Sequence, residues 1–253
     1  MAASGAILAW VGTPFLLPSF PFVYSVYSMK RLLLLLFAAA LPVCAAPSTT
    51  VPNDQNFRRQ PLYQVYFADY LAAKRGHPVD LIFVGDSITE HWRWGPGLPV
   101  WLREFENRAF NFGLSADRTE QALWRLQNFD LSGFAPQVAV VLIGTNNIYD
   151  PPEDIAAGVK AVVEATRAKF PGVRVVLTSI LPKMRGWDKM KAVNALLAPL
   201  ADGKTVFYCD LAAKFTWEND RWKGLVPDGL HLSTDGYELW ATELKALLPV
   251  VLK

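Results

Sequence analysis

The feature that most constrains this chain is an alternation between two periods. Short runs dominated by β-branched, aliphatic or aromatic residues occur at 80–84, 109–112, 138–143, 173–178 and 205–208; between and around them lie longer stretches with helical spacing at 61–75, 117–128, 153–169, 188–200 and 236–248. A run such as Val138-Ala-Val-Val-Leu-Ile143 has no polar alternate, so it suits a strand buried on both faces. Strands of that kind separated by helices close as βαβ units, with helices covering both sides of a parallel sheet. The pattern therefore predicts an α/β fold: a three-layer α/β/α sandwich around a sheet of about five parallel strands. Pro152, followed by Glu153 and Asp154, opens one of the helices, and Pro171-Gly172 turns the chain out of it into the next strand. No internal repeat interrupts the pattern, and residues 61–253 are read as one domain.

The residues before the pattern are of another kind. Residues 1–53 carry two charges, Lys30 and Arg31, and no acid. Met29-Lys-Arg31, the apolar stretch Leu32 to Val43 and the small residues Ala45 and Ala46 have the three parts of a secretory signal peptide, with cleavage after Ala45. Residues 1–46 are thus expected to be an export segment with translation starting at Met29, and the mature protein to be secreted or periplasmic, touching a membrane only through that segment. Leu41-Pro-Val-Cys44 resembles a lipoprotein signal, but Val43 is bulky for the position before a lipidated cysteine, which favours cleavage over anchoring through Cys44. Residues 47–60 are polar and without periodicity and are expected to form a flexible leader. Without the export segment basic and acidic side chains balance, so no basic surface for nucleic acid is expected. Cys209 then remains the lone cysteine, which leaves no internal disulfide and reads as a small buried hydrophobe.

In doubly wound sheets ligands bind beyond the carboxyl ends of the strands. Gly85-Asp86-Ser87 follows the first run, Gly113 the second and Gly144-Thr-Asn146-Asn147 the third, and Asp228-Gly-Leu-His231 precedes the last helix. A serine hydroxyl needs a base to become a nucleophile, and the chain has three histidines. His77 lies in a turn before the first strand, at the other end of the sheet. His91 lies four residues beyond Ser87 and remains open by spacing alone. His231 has Asp228 three residues before it, a spacing that lets the carboxylate hold one ring nitrogen while the other faces Ser87. Backbone N–H groups of Ser87 and Gly113 and the side-chain amide of Asn146 are candidate donors to an oxyanion. Asp86, Asn147 and Trp92 are candidates for substrate binding, Trp92 as part of an aromatic wall with Trp94 and Trp101. Arg118 is read as a surface ion-pair residue.

Phe83-Val-Gly-Asp-Ser-Ile-Thr89, Asn111-Phe-Gly113, Gly144-Thr-Asn-Asn147 and Asp228-Gly-Leu-His231 resemble, in order, the four blocks of the GDSL/SGNH hydrolase family, over residues 80–236. Within it, Asn111-Phe-Gly-Leu114, Leu123-Trp-Arg-Leu126 and Leu230-His-Leu-Ser233 resemble the branch of the platelet-activating-factor acetylhydrolase catalytic subunits. The resemblance implies a flavodoxin-like sheet, Ser87 as nucleophile, Asp228 and His231 as its partners, and Gly113 and Asn146 as oxyanion donors. Ile88 stands where the family name has leucine.

These readings converge on a serine esterase acting on short acyl esters, acetyl esters among them, of a small molecule or polysaccharide, without cofactor or metal. A lipid esterase of the acetylhydrolase kind and a non-catalytic carbohydrate-binding module on the same fold are the alternatives. Gly-x-Ser-x-Gly, a Walker loop and His-Glu-x-x-His are absent, which excludes the nucleophile elbow of α/β-hydrolases and argues against ATP and zinc-protease chemistry.

Overall fold

Five parallel strands stand where the apolar runs predict them: β1 (Leu81–Gly85), β2 (Ala109–Gly113), β3 (Val138–Leu142), β4 (Arg174–Thr178) and β5 (Val206–Cys209), side by side in the order β2-β1-β3-β4-β5. The structure is a computed structural model, and it describes residues 45–252. The expected export segment, the Met29 start and Cys44 lie outside the described residues, apart from Ala45 and Ala46 at its end. The predicted strand bounds differ from these by no more than one residue at either end.

Helices α1 (Gln55–Arg58), α2 (Pro61–Lys74), α3 (Ser87–Glu90), α4 (Leu98–Glu104), α5 (Thr119–Asn128), α6 (Pro152–Lys169), α7 (Trp187–Leu197) and α8 (Thr234–Val251) complete the layers. Because alternate residues of a strand face opposite sides, β1 divides its apolar residues between two cores. Ile82 and Val84 pack with Phe67 of α2, Leu123 of α5, Val159 of α6 and Val193 of α7. Leu81 and Phe83 pack on the other face with Trp92, Trp101 of α4 and Trp240 of α8. A short antiparallel hairpin, β6 (Trp217–Glu218) and β7 (Arg221–Trp222), lies outside the main sheet.

The register sets the site. Gly85 pairs with Gly113 on one side and with Leu142 on the other, so β1, β2 and β3 end level and release their loops at one edge.

The segment expected as a flexible leader is instead docked. Thr49 is fully buried, and its carbonyl accepts from Thr119 Oγ1 at 2.8 Å while its hydroxyl donates to Asp154 O at 2.6 Å. Asn53 N–H donates to Glu120 O at 3.1 Å, Gln121 Nε2 donates to Asn53 Oδ1 at 2.8 Å, and Phe57 packs edge-on against Phe129. Hydrogen bonding by polar side chains holds this stretch, and a hydrophobic period does not report that. Gly158 makes the room: a Cβ there would lie 2.5 Å from Thr119 Oγ1 and 2.8 Å from Thr49 O.

Candidate active site

β1 delivers Ser87 to the edge through a sharp turn. Gly85 is required there, since a Cβ would meet Thr89 Oγ1 at 2.0 Å and Leu142 O at 2.4 Å. Asp86 caps α3 by accepting from Ile88 N–H at 3.0 Å, which leaves Ser87 as the first helical residue, where a backbone N–H has no acceptor within the helix. Tyr237 of α8 donates to Ile88 O at 2.8 Å and fixes the turn from the other layer.

His231 reaches Ser87 from the loop before α8. Its Nε2 lies 2.9 Å from Ser87 Oγ and its Nδ1 2.6 Å from Asp228 Oδ2. The other oxygen of Asp228 accepts from the backbone N–H groups of Leu230 and His231 at 2.8 and 2.9 Å. Burial pushes the Asp228 carboxyl up, but these three hydrogen bonds outweigh it and hold the group below its ordinary value, hence ionised. An ionised carboxylate on Nδ1 keeps Nε2 free to accept the Ser87 proton.

The alternative left open by spacing is settled by geometry. His91 makes no bond to Ser87; its ring lies against that of His231 at 4.7 Å, with Trp94 on it at 4.0 Å. Burial first, and the neighbouring His231 second, lower His91 to about 4, so it is a neutral wall of the cleft near neutral pH. His77 sits before β1, at the opposite end of the sheet.

The backbone donor assigned to Gly113 needs correction. Gly113 is the buried last residue of β2, and its N–H donates to Asn111 Oδ1 at 2.9 Å. It is glycine because a Cβ would lie 2.5 Å from Glu90 N, where α3 crosses the strand. Of the residues that follow, Leu114 N–H donates to Gly85 O, Ser115 N–H to Glu90 Oε2 and Asp117 N–H to Leu114 O. Only Ala116 in this run has no acceptor for its N–H among the described residues, and it is exposed. Its φ of 64° marks a type II turn over 114–117, closed by the Asp117–Leu114 bond of 3.1 Å. Asn146 lies against the same turn: its Nδ2 donates one hydrogen to Asp117 O at 2.8 Å and keeps the second. Lys183, nine-tenths buried, donates to Thr145 O at 3.0 Å and steadies the turn that carries Asn146.

The three side chains expected to bind substrate do not face the cleft. Asp86 is fully buried as the cap of α3; burial, against the opposing Ile88 N–H bond, raises its carboxyl to about 7. Asn147 is fully buried too, accepting from Thr119 N–H at 3.0 Å and donating to Asp150 at 3.0 Å. Trp92 is enclosed among Phe105, Tyr237 and Trp240, and Trp101 is equally buried; only Trp94 of the expected aromatic wall reaches the surface. Arg118 pairs with Glu120 and Asp150, as an ion-pair residue. The open side of the site is a groove of about 810 Å³ beside Asn146 and Asp228, lined also by Ile148, Tyr149, Lys183 and Met184. Among the described residues no cluster of three His, Cys, Asp or Glu side chains is placed to hold a metal ion.

The arrangement joins an activated hydroxyl to convergent N–H donors, which is what acyl transfer requires. Comparison with known proteins agrees. The GDSL-like lipase/acylhydrolase family model matches residues 83–239. The chain is 30% identical over 190 residues to the platelet-activating factor acetylhydrolase IB subunit alpha1 of Homo sapiens, covering 71% of this chain and 79% of that one. It is 31% identical over 163 residues to a Drosophila melanogaster homolog of the IB subunit beta, covering 64% and 69%. Among solved structures, a GDSL-like lipase from Bacteroides thetaiotaomicron superposes with a TM-score of 0.60 at 21% identity, covering 74% of this chain and 97% of that one. A G-D-S-L lipolytic protein from Veillonella parvula does so at 0.54 and 15%, covering 67% and 97%.

Proposed function

The chain belongs to the GDSL-like lipase/acylhydrolase family, a family of carboxylic ester hydrolases, and from that premise we propose that it is an exported esterase that removes short acyl groups through an acyl-enzyme on Ser87. The observation that carries the proposal is the unbroken relay Asp228–His231–Ser87, with distances of 2.6 and 2.9 Å. His231 Nε2 takes the Ser87 proton as Oγ attacks the acyl carbon. The tetrahedral oxyanion is held by the N–H groups of Ser87 and Ala116 and by the free hydrogen of Asn146 Nδ2. His231 then protonates the leaving alkoxide, and water, activated by the same ring, repeats the sequence on the acyl-enzyme. Asp228 stays ionised throughout and stabilises the imidazolium.

The name of the relatives, acetylhydrolases, supports a small acyl group. The open groove supports a large leaving alcohol, a sugar or a lipid headgroup, beside Tyr149 and Met184, both well exposed. Export rests on the basic, apolar and small-residue succession from Met29 to Ala46, and sequencing the N-terminus of the secreted protein tests it. The catalytic proposal is tested by hydrolysis of p-nitrophenyl acetate, butyrate and octanoate beside Ser87→Ala. Acetate is expected to be turned over fastest, with activity lost in the variant by a factor of ~10⁴ or more. Equal rates in the two folded proteins would end the serine mechanism, and a preference for octanoate would end the short-acyl reading.

A further inference from the structure

The matched family region begins at residue 83, yet the segment before the sheet reaches the catalytic edge. Asn56 of α1 donates both hydrogens of its Nδ2 into the turn that carries Ala116: one to Ser115 O at 2.9 Å, the other to Asp117 Oδ1 at 2.6 Å. Gln60 adds a bond from Nε2 to the same Ser115 O at 3.2 Å and one to Asn56 Oδ1 at 2.8 Å. Tyr63 of α2 donates to Gly113 O at 2.7 Å, just before the turn.

Ser115 O and Ala116 N–H belong to one peptide unit. That unit is planar and trans, so its C=O and N–H point in opposite directions. Donors fixed on Ser115 O from behind therefore fix the direction in which Ala116 N–H points into the cleft. They also polarise the unit and strengthen the N–H as a donor. The control matters because this is the central peptide of a β-turn. Type I and type II turns differ by a flip of that peptide, and the type II form places its third residue at positive φ, where glycine is favoured. This chain has alanine at that seat, at φ 64°. Left to its own preference, alanine favours the flipped form, with the N–H turned away.

We propose that Asn56, seconded by Gln60, is a positioning residue for ester hydrolysis: the docked segment 47–60 clamps the Ser115–Ala116 peptide so that its N–H faces the oxyanion. The inference rests on the serine-esterase reading above and adds to it an element from outside the matched region.

The test compares the full mature chain with Asn56→Asp, which keeps the shape, removes both donors and adds a charge beside Asp117. Val162→Ala, in the buried face of α6 and away from the cleft, serves as a control for lost stability. With p-nitrophenyl acetate, Asn56→Asp is expected to lower kcat about 10- to 100-fold with KM within about 3-fold, because a donor misplaced by ~1 Å can cost ~100-fold. Val162→Ala is expected to lower Tm and leave kcat within 2-fold. A wild-type kcat in folded Asn56→Asp overturns the proposal. If that variant does not fold, Gln60→Met removes the outer donor alone; a fall in kcat of about 3-fold or more supports the clamp, and no change overturns it. A readout that needs no substrate separates this inference from the esterase reading. The amide resonances of Ser115–Asp117 are expected to shift or broaden in Asn56→Asp and to stay put in Val162→Ala, whether or not Ser87 hydrolyses the probe; unchanged resonances overturn it.

Discussion

Ser87 and His231 meet at 2.9 Å, yet the segments that bring them there are built in opposite ways. On the nucleophile's side the frame is built mainly from buried polar groups bonded to one another. Arg125 is 1% exposed and Asp117 not at all; the pair meets at 2.6 Å, and Arg125 donates further to Phe112 O at 2.8 Å. Glu90, also buried, takes the N–H of Ser115 at 2.6 Å together with its hydroxyl. On the base's side, Asp228 is 46% and His231 24% exposed, on a loop pinned mainly by backbone bonds such as Val226 N–H to His231 O and Ser233 N–H to Gly224 O, both 2.9 Å. The difference follows from the tasks. N–H donors must keep their direction without water's help, so the frame beneath them is rigid and dry. A residue that gains and loses a proton in each cycle is better placed near solvent, where its charged form is not penalised by burial.

If that division is right, damage on the exposed side should cost rate and almost no stability. Asp228→Asn is the sharpest case and carries the largest effect. It removes the charge on His231 Nδ1 and lets the wrong tautomer form, which in a serine hydrolase of this design costs ~10⁴-fold in kcat. Because the carboxylate is half exposed, Tm is expected to move by no more than about 2 °C, read by calorimetry. A fall in Tm of 10 °C would show that the loop is part of the frame after all, and the contrast would break.

Damage on the buried side should show the reverse. Arg125→Met leaves Asp117 buried without its cation and strands Phe112 O, and losing one partner of a buried pair costs ~3–5 kcal/mol. The pH dependence carries the signature. Burial raises the Asp117 carboxyl to about 6 even with Arg125 beside it to pull it down. A carboxyl whose folded value lies above its unfolded value binds protons better when folded, so stability falls as pH rises from the unfolded value to the folded one. Without Arg125 the folded value climbs further and the decline continues to higher pH. The deficit of the variant, measured by urea unfolding, is therefore expected to be larger at pH 8 than at pH 5. An equal deficit at both would mean that Asp117 is already neutral in the native protein.

The two sides also differed in how well they could be read from the sequence. The five strands were legible because a strand buried on both faces leaves a mostly apolar run, Ser87 because it follows such a run in a short polar cluster, and Asp228 and His231 because theirs precedes the last helix. The oxyanion side was misread at Gly113, where glycine answers to the crossing of α3, 2.5 Å from a Cβ. The donor left without an acceptor is at Ala116, which carries no glycine to betray its positive φ. A sequence shows which residue types stand in a turn but not which of their N–H groups are already used, and that inventory decides here. Trp92, Asp86 and Asn147 were misplaced for a related reason. Each sits beside the site in the chain, but the sheet turns each inward: Trp92 into the aromatic core, and Asp86 and Asn147 into the polar frame. The docking of 47–60 was invisible because side-chain amides have no period.

The smallest predicted effect is the one that tests the frame most closely. A non-glycine residue held in the left-handed region costs roughly 1–2 kcal/mol, and Ala116→Gly removes that cost while loosening the unfolded chain by ~0.4–1 kcal/mol. The net is expected to be a stabilisation of under ~1 kcal/mol, with kcat unchanged, because the donor is backbone. The coupling is more telling than the single value. Glycine takes the type II form without persuasion, so the turn no longer depends on the donors behind Ser115 O. Asn56→Asp is then expected to cost less in the Ala116→Gly background than in the wild type, a positive coupling in a double-mutant cycle of kcat. Strict additivity would mean that Asn56 acts on Asp117 and the frame alone, and that the alanine seat is held by the turn's own bond between Asp117 and Leu114.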